Sequence, residues 1–328
     1  MINSTQAASV VFGALLSVCV FSTGLNQALA GSVAASSDPN IVADVAAAPQ
    51  GSQPPRGRVY LFRGALGPIF SRGMDRLTEQ LTQVGIRADV YEFTICRLIA
   101  EQAIRDYHDD PAPITLIGHS MGGLCALKFA EMLQDEDIPV NLVVTIDPAH
   151  ASPMVPLNVQ RYINIFLSNS ILGGGDVVGK QGYRGHYASF DLSMRENVTH
   201  INIDKMDSIH QQLIRMIGQL TTTPAIAEGE ALPLRYVVPP DTPVELWDSG
   251  TPLLAHSGDT LKSIAAFHHV PLWSLTQINQ VPDNVLLTAG QRIIVPRHLV
   301  PAVELPAQAP LQPQLSGRNG TSIGVRRR

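Results

Sequence analysis

Several things are scarce in this chain, and each scarcity excludes something. Among its 328 residues there are three cysteines, Cys19, Cys96 and Cys125, spaced too widely for a zinc site and too few for a disulfide framework. Charged residues make up 16% and the formal net charge is −5, which gives nucleic acid no basic surface to meet. No metal or organic cofactor motif is present. Long apolar runs are also missing: the longest, Ala8 to Phe21, is too short to span a bilayer comfortably. Residues 1–30 contain no Asp, Glu, Lys or Arg, and end in Ala28-Leu29-Ala30 before Gly31. A short apolar run followed by a small-x-small site reads as a secretory signal cut after Ala30, although it has no basic start.

What is present divides the chain. After the signal at 1–30, residues 31–57 are rich in Ala, Ser, Pro, Gly and Gln and predict a flexible tether. Residues 58–220 alternate short apolar runs with helical periodicity. Strands are expected at Val59–Phe62, Ala88–Phe93, Ile114–Ile117, Leu142–Ile146, Tyr162–Leu167 and Val198–Ile203. Helices are expected after a Ser71 N-cap, over Leu98–Tyr107 and Leu124–Leu133, and from His210 to Leu220. Such alternation, with continuously apolar strands, predicts an α/β fold: a parallel sheet covered by helices on both faces. Pro-rich residues 221–250 read as a linker, 251–297 as a small second domain and 298–328 as a disordered tail. An exported chain loses Cys19 with its signal. Two buried core thiols are then the simpler expectation for Cys96 and Cys125, with a bridge as the alternative.

The chemistry centres on Gly118-His119-Ser120-Met121-Gly122, which follows an apolar run and precedes a helix. This is the strand–turn–helix context of a nucleophile elbow. Ser120 then needs a histidine base and a carboxylate later in the chain. His210, at the start of the closing helix, is the expected base. His200 falls inside the expected strand Val198–Ile203, where a packing role is expected, and His150 and His186 are outsiders. Two acids remain open: Asp147, at a strand end before Pro148, and Asp176, after a glycine-rich loop. The N–H groups of Met121 and Ala65 are the expected oxyanion donors.

Arg63-Gly64-Ala65, the Gly118–Gly122 elbow, Asp147-Pro148-Ala149 and His210 together resemble the α/β-hydrolase family. The resemblance implies a lipase-, esterase- or thioesterase-like serine hydrolase acting on an acyl ester, and its early acid position favours Asp147. Gly258-Asp259-Thr260-Leu261, Ile264-Ala265, Ile278-Asn279, Gly290-Gln291 and Ile293 to Pro296 resemble a lysin-motif (LysM) domain with a βααβ fold. That resemblance implies binding to peptidoglycan or another N-acetylglucosamine polymer. The implied binding residues are Gly258, Asp259 and Thr260 in one loop and Asn279, Pro282, Asp283, Asn284 and Val285 in another. The expected protein is thus an exported, wall-associated hydrolase, in the periplasm or outside the cell. The alternative is a glycan-binding envelope protein whose hydrolase-like domain has no activity.

Overall fold

A computed structural model describes residues 57–65, 67, 71–222 and 231–299, all within the compact unit Gly51–Arg328. The expected signal at 1–30, almost all of the tether and most of the tail lie outside the described residues.

Seven strands form one sheet: β1 (Arg58–Arg63), β2 (Arg87–Glu92), β3 (Ile114–His119), β4 (Leu142–Ile146), β5 (Arg161–Phe166), β6 (His186–Asp191) and β7 (Leu234–Val237). Their order is β2-β1-β3-β4-β5-β6-β7, and every neighbouring pair is parallel. β3, β4 and β5 are buried along their whole length, as continuous apolar runs in a doubly covered sheet should be.

Side chains alternate between the two faces. Val59 and Leu61 join one core with Met74, Leu77 and Leu81 of α1 (Arg72–Gln83) and Ile209, Leu213 and Ile217 of α4 (Asp207–Thr222). Tyr60 and Phe62 join the other core with Ala100 and Ala103 of α2 (Cys96–Asp109) and Ala126, Phe129 and Leu133 of α3 (Met121–Asp135). The chain runs outward from β1 to β2, then crosses back past β1 to β3. That reversal opens a crevice at the carboxyl ends of β1 and β3, where sheets of this kind bind ligands. Gly64 and Ser120 stand there.

Three expectations need correction. Val198–Ile203 forms turns rather than a strand, and its place in the sheet is taken by β6. β6 reads His-Tyr-Ala-Ser-Phe-Asp, too mixed for an apolar-run search. The expected linker at 221–250 supplies β7, whose alternating burial fits a sheet edge, and the fully buried Trp247. Cys96 and Cys125 are bridged, with Cα atoms 5.8 Å apart, which ties the start of α2 to α3.

The C-terminal unit is a two-stranded antiparallel sheet, β8 (Ser249–Leu254) with β9 (Arg292–Arg297), flanking α5 (Leu261–His268) and α6 (Leu272–Asn279). Nine buried residues, among them Leu261, Ile264, Leu275 and Ile293, form its core. So small a core is marginal alone, and this one leans on the larger sheet. Trp273 meets Tyr236 edge-on at 5.4 Å, and the Gln277 amide bonds both the N–H and the C=O of Val237 (3.1 and 2.8 Å). Asp248, almost fully buried, accepts from Arg161 (3.2 Å) below and from Arg297 above. No helix among the described residues is long and apolar enough to cross a membrane.

Candidate active site

Ser120 occupies the turn between β3 and α3 with φ of 57°, a left-handed conformation that a serine adopts only when its surroundings impose it. The surroundings are close. A Cβ on Gly122 would lie 2.1 Å from the Phe62 carbonyl oxygen, and one on Gly118 would lie 2.0 Å from that of Gly122. Only glycine lets β1, β3 and α3 meet this tightly. The Ser120 N–H donates to Ile146 (3.0 Å), and its carbonyl accepts from Gly123 (2.9 Å) and Ala149 (3.1 Å). Gly64 backs directly onto the serine, since a Cβ there would sit 2.8 Å from the Ser120 Cβ.

The residue against Ser120 is His200. Its Nε2 lies 3.0 Å from the Ser120 Oγ, and its Nδ1 lies 2.6 Å from Oδ2 of Asp147. A carboxylate accepts at Nδ1, so Nδ1 carries the proton and Nε2 accepts from the serine hydroxyl. Asp147 is fully buried just past β4, and its Oδ1 accepts from the Leu167 N–H (3.1 Å). The acid is thereby fixed from a second side.

His210 is not brought to this place. It is fully buried in the first turn of α4, with Nε2 donating to the Asp204 carbonyl (2.7 Å) and Nδ1 3.1 Å from the Gln80 side chain. Burial lowers its pKa, which suits a neutral structural imidazole. The expectation of His210 depended on the false strand at Val198–Ile203. With β6 as the real strand, the loop that follows carries His200. Asp176 is likewise elsewhere, accepting from Ser189 (3.1 Å) and Tyr187 (3.2 Å) and pairing with Arg235.

Met121 opens α3, so its N–H has no carbonyl four residues back within the helix. Ala65 lies on the exposed turn after Gly64. The Gly64 N–H is already taken by Ser71 Oγ (3.0 Å). Arg63 points away from the chemistry, bonding Glu92 (3.0 Å) and Asp75.

In the small domain, Gly258 turns the chain with φ of 91°, and Thr260 and Ser263 form a capping box on α5. Asp259 accepts from the His256 N–H (2.7 Å). The Asn279 side chain is occupied internally, bonding both the N–H (2.7 Å) and C=O (2.8 Å) of Ile294. Pro282, Asp283, Asn284 and Val285 are exposed. The Leu287 N–H donates to the Asp259 carbonyl (2.8 Å), tying the two loops together.

A family model described as "Thioesterase domain" matches residues 94–160, and a LysM domain model matches residues 256–296. No curated protein matches the chain. Among solved structures, a hydrolase of the α/β superfamily from Xanthomonas campestris pv. campestris is 14% identical, with a TM-score of 0.32, over 50% of this chain and 98% of that one. The NocB thioesterase domain, in covalent complex with a fluorophosphonate nocardicin G analog, is 14% identical, with a TM-score of 0.26, over 39% of this chain and 78% of that one. The chain therefore carries a stretch that matches the thioesterase family model within its seven-stranded parallel sheet, followed by a C-terminal LysM domain.

Proposed function

We propose that the protein is an exported serine hydrolase that cleaves an acyl ester or thioester and is held on N-acetylglucosamine-containing glycan, such as peptidoglycan, by its LysM domain. One observation carries the catalytic part: the unbroken line from Ser120 Oγ through the His200 ring to Asp147. His200 Nε2 takes the hydroxyl proton as Ser120 Oγ attacks the acyl carbonyl carbon. Asp147 holds the ring in the required tautomer and stabilises the imidazolium that forms. The oxyanion develops against the N–H groups of Met121 and Ala65. His200 then returns the proton to the leaving alkoxide or thiolate. Water enters, is deprotonated by the same nitrogen, and releases the acid while Ser120 recovers its proton.

The signal-like start and the Cys96–Cys125 bridge support export, because such bridges persist in oxidising compartments. The exposed stretch from Pro282 to Val285 supports the glycan part, as the face left open for a polymer.

A fluorophosphonate probe and a panel of p-nitrophenyl esters of increasing chain length, run on wild type and Ser120→Ala, test the enzyme. Labelling and turnover should both vanish in the variant. A folded wild type that takes no label and turns over no ester would leave only the glycan-binding reading.

A further inference from the structure

We infer that His119 is a positioning residue for the base: its buried ring ties the main chain of His200 to the loop after β1. The inference rests on the catalytic role given to His200 above, and it concerns a residue that the mechanism leaves unused.

His119 precedes the nucleophile, is 1% exposed, and has a partner at each ring nitrogen. Its Nε2 lies 2.9 Å from the His200 carbonyl oxygen, and its Nδ1 lies 2.8 Å from Ser71 Oγ. These contacts allow one tautomer. A carbonyl only accepts, so Nε2 carries the proton and Nδ1 accepts from the Ser71 hydroxyl. The Ser71 oxygen in turn accepts from the Gly64 N–H. Four groups therefore form one directed line: Gly64 N–H to Ser71, Ser71 to His119, and His119 to the main chain of His200. Ser71 stands at the N-terminus of α1 yet makes no side-chain cap there, because its hydroxyl is spent on this line.

His200 needs such a hold. It sits in turns between β6 and the short 3-10 helix Ile203–Lys205, outside any regular element of its own. Asp147 fixes the tip of its side chain, whereas the carbonyl bond from His119 fixes its main chain. The two rings also pack with centroids 4.8 Å apart, so His119 covers one side of the base. Burial, and then the neighbouring His200, lowers the His119 pKa to about 4, so it stays uncharged while His200 becomes an imidazolium.

Asparagine and glutamine separate the two ends of the strut. His119→Gln places an amide near the Nε2 position and can still donate to the His200 carbonyl. His119→Asn reaches only the Nδ1 position. With p-nitrophenyl butyrate, His119→Asn and His119→Ala should lose about 10- to 100-fold in kcat with KM changed less than about twofold, since a displaced base slows chemistry more than binding. His119→Gln should recover to within about threefold of wild type. Imidazole ¹H–¹⁵N spectra of the resting protein give a readout that needs no turnover: the His200 ring resonances should move in His119→Asn and stay near wild type in His119→Gln. Thermal melts identify the folded variants.

Equal kcat losses in the Asn and Gln variants would overturn the inference, as would unmoved His200 resonances in His119→Asn. If wild-type Ser120 takes no fluorophosphonate label, the serine-hydrolase reading fails, and the spectra still decide whether His119 holds His200.

Discussion

The parallel sheet and the LysM domain assemble their candidate sites in opposite ways. In the sheet, Ser120 and His200 are 80 residues apart, and Asp147 comes from a third loop. They meet because β3, β4 and β6 are parallel and release their loops at one edge. In the LysM domain the two candidate loops sit on either side of a helix pair and are joined by one bond, from Leu287 to Asp259. The first site is a product of global topology and the second of a local fold. Damage to each should therefore leave a different signature.

The sharpest separation comes from two histidines ten residues apart in sequence. His200→Ala should lower ester turnover by at least about 10³-fold, the scale expected on losing the base of a serine triad. Its retention on insoluble peptidoglycan should be unchanged. His210→Ala should do the reverse: turnover per folded molecule stays near wild type, while urea melts show a loss of about 1–3 kcal/mol from an emptied, hydrogen-bonded core position. Equal kinetic damage in both variants would break the distinction between base and core histidine.

How far the sequence revealed these sites follows from the same contrast. The elbow, Asp147 and the LysM pattern each carry a local signal: a motif in its required context, a strand end before Pro148, a register of matching positions. His200 carries none. Its place depends on knowing that β6 is His186–Asp191, and that strand mixes polar with apolar residues because Ser189 bonds Asp176 in the preceding loop and His186 bonds Ser249 at the start of β8. β7 was hidden for a related reason, since four residues amid prolines form a strand only because β6 is there to pair with. The face that joins Trp273 to Tyr236 was invisible too, because nothing local distinguishes a tryptophan in the small domain's own core from one that docks on another sheet.

The sheet's reliance on distant contacts makes it the unit more sensitive to covalent and electrostatic change. Replacing both Cys96 and Cys125 with serine removes a bridge between residues 29 apart and should lower stability by about 3 kcal/mol in equilibrium urea melts. An unchanged midpoint would mean that the bridge does not form in the protein as produced. Asp204 acts with the opposite sign. It is fully buried beneath the His200 loop, accepts from the Gly73 N–H (2.9 Å), and burial pushes its pKa up to about 6. The unfolded chain titrates this group near 4, so between about pH 4 and 6 the folded state holds more protons and loses stability as pH rises. Asp204→Asn keeps an acceptor for Gly73 and removes the charge. The variant should gain on the order of 2 kcal/mol above pH 6 and nothing below pH 4. His119 and His210 are common to both proteins and drop out of the difference. A gain that is flat with pH would show that the carboxylate is not the cause.

The smallest effect belongs to the LysM domain and asks whether its site is as local as it looks. Val285 is 44% exposed in the open loop, whereas Asn279 is bonded to Ile294 inside the domain. Val285→Asp should weaken retention on peptidoglycan about tenfold, which corresponds to about 1.4 kcal/mol. The thermal midpoint and p-nitrophenyl ester turnover should not change. Asn279→Ala should reduce retention only through lost folding, by about 1–3 kcal/mol for the unpaired backbone groups it leaves at Ile294. The small domain shares a packed face with the sheet through Trp273 and Gln277, so that loss should also lower the midpoint of the whole unit. If Asn279→Ala weakened binding with no change in melting, Asn279 would be a glycan ligand. If Val285→Asp altered ester turnover, the two sites would be coupled across that shared face.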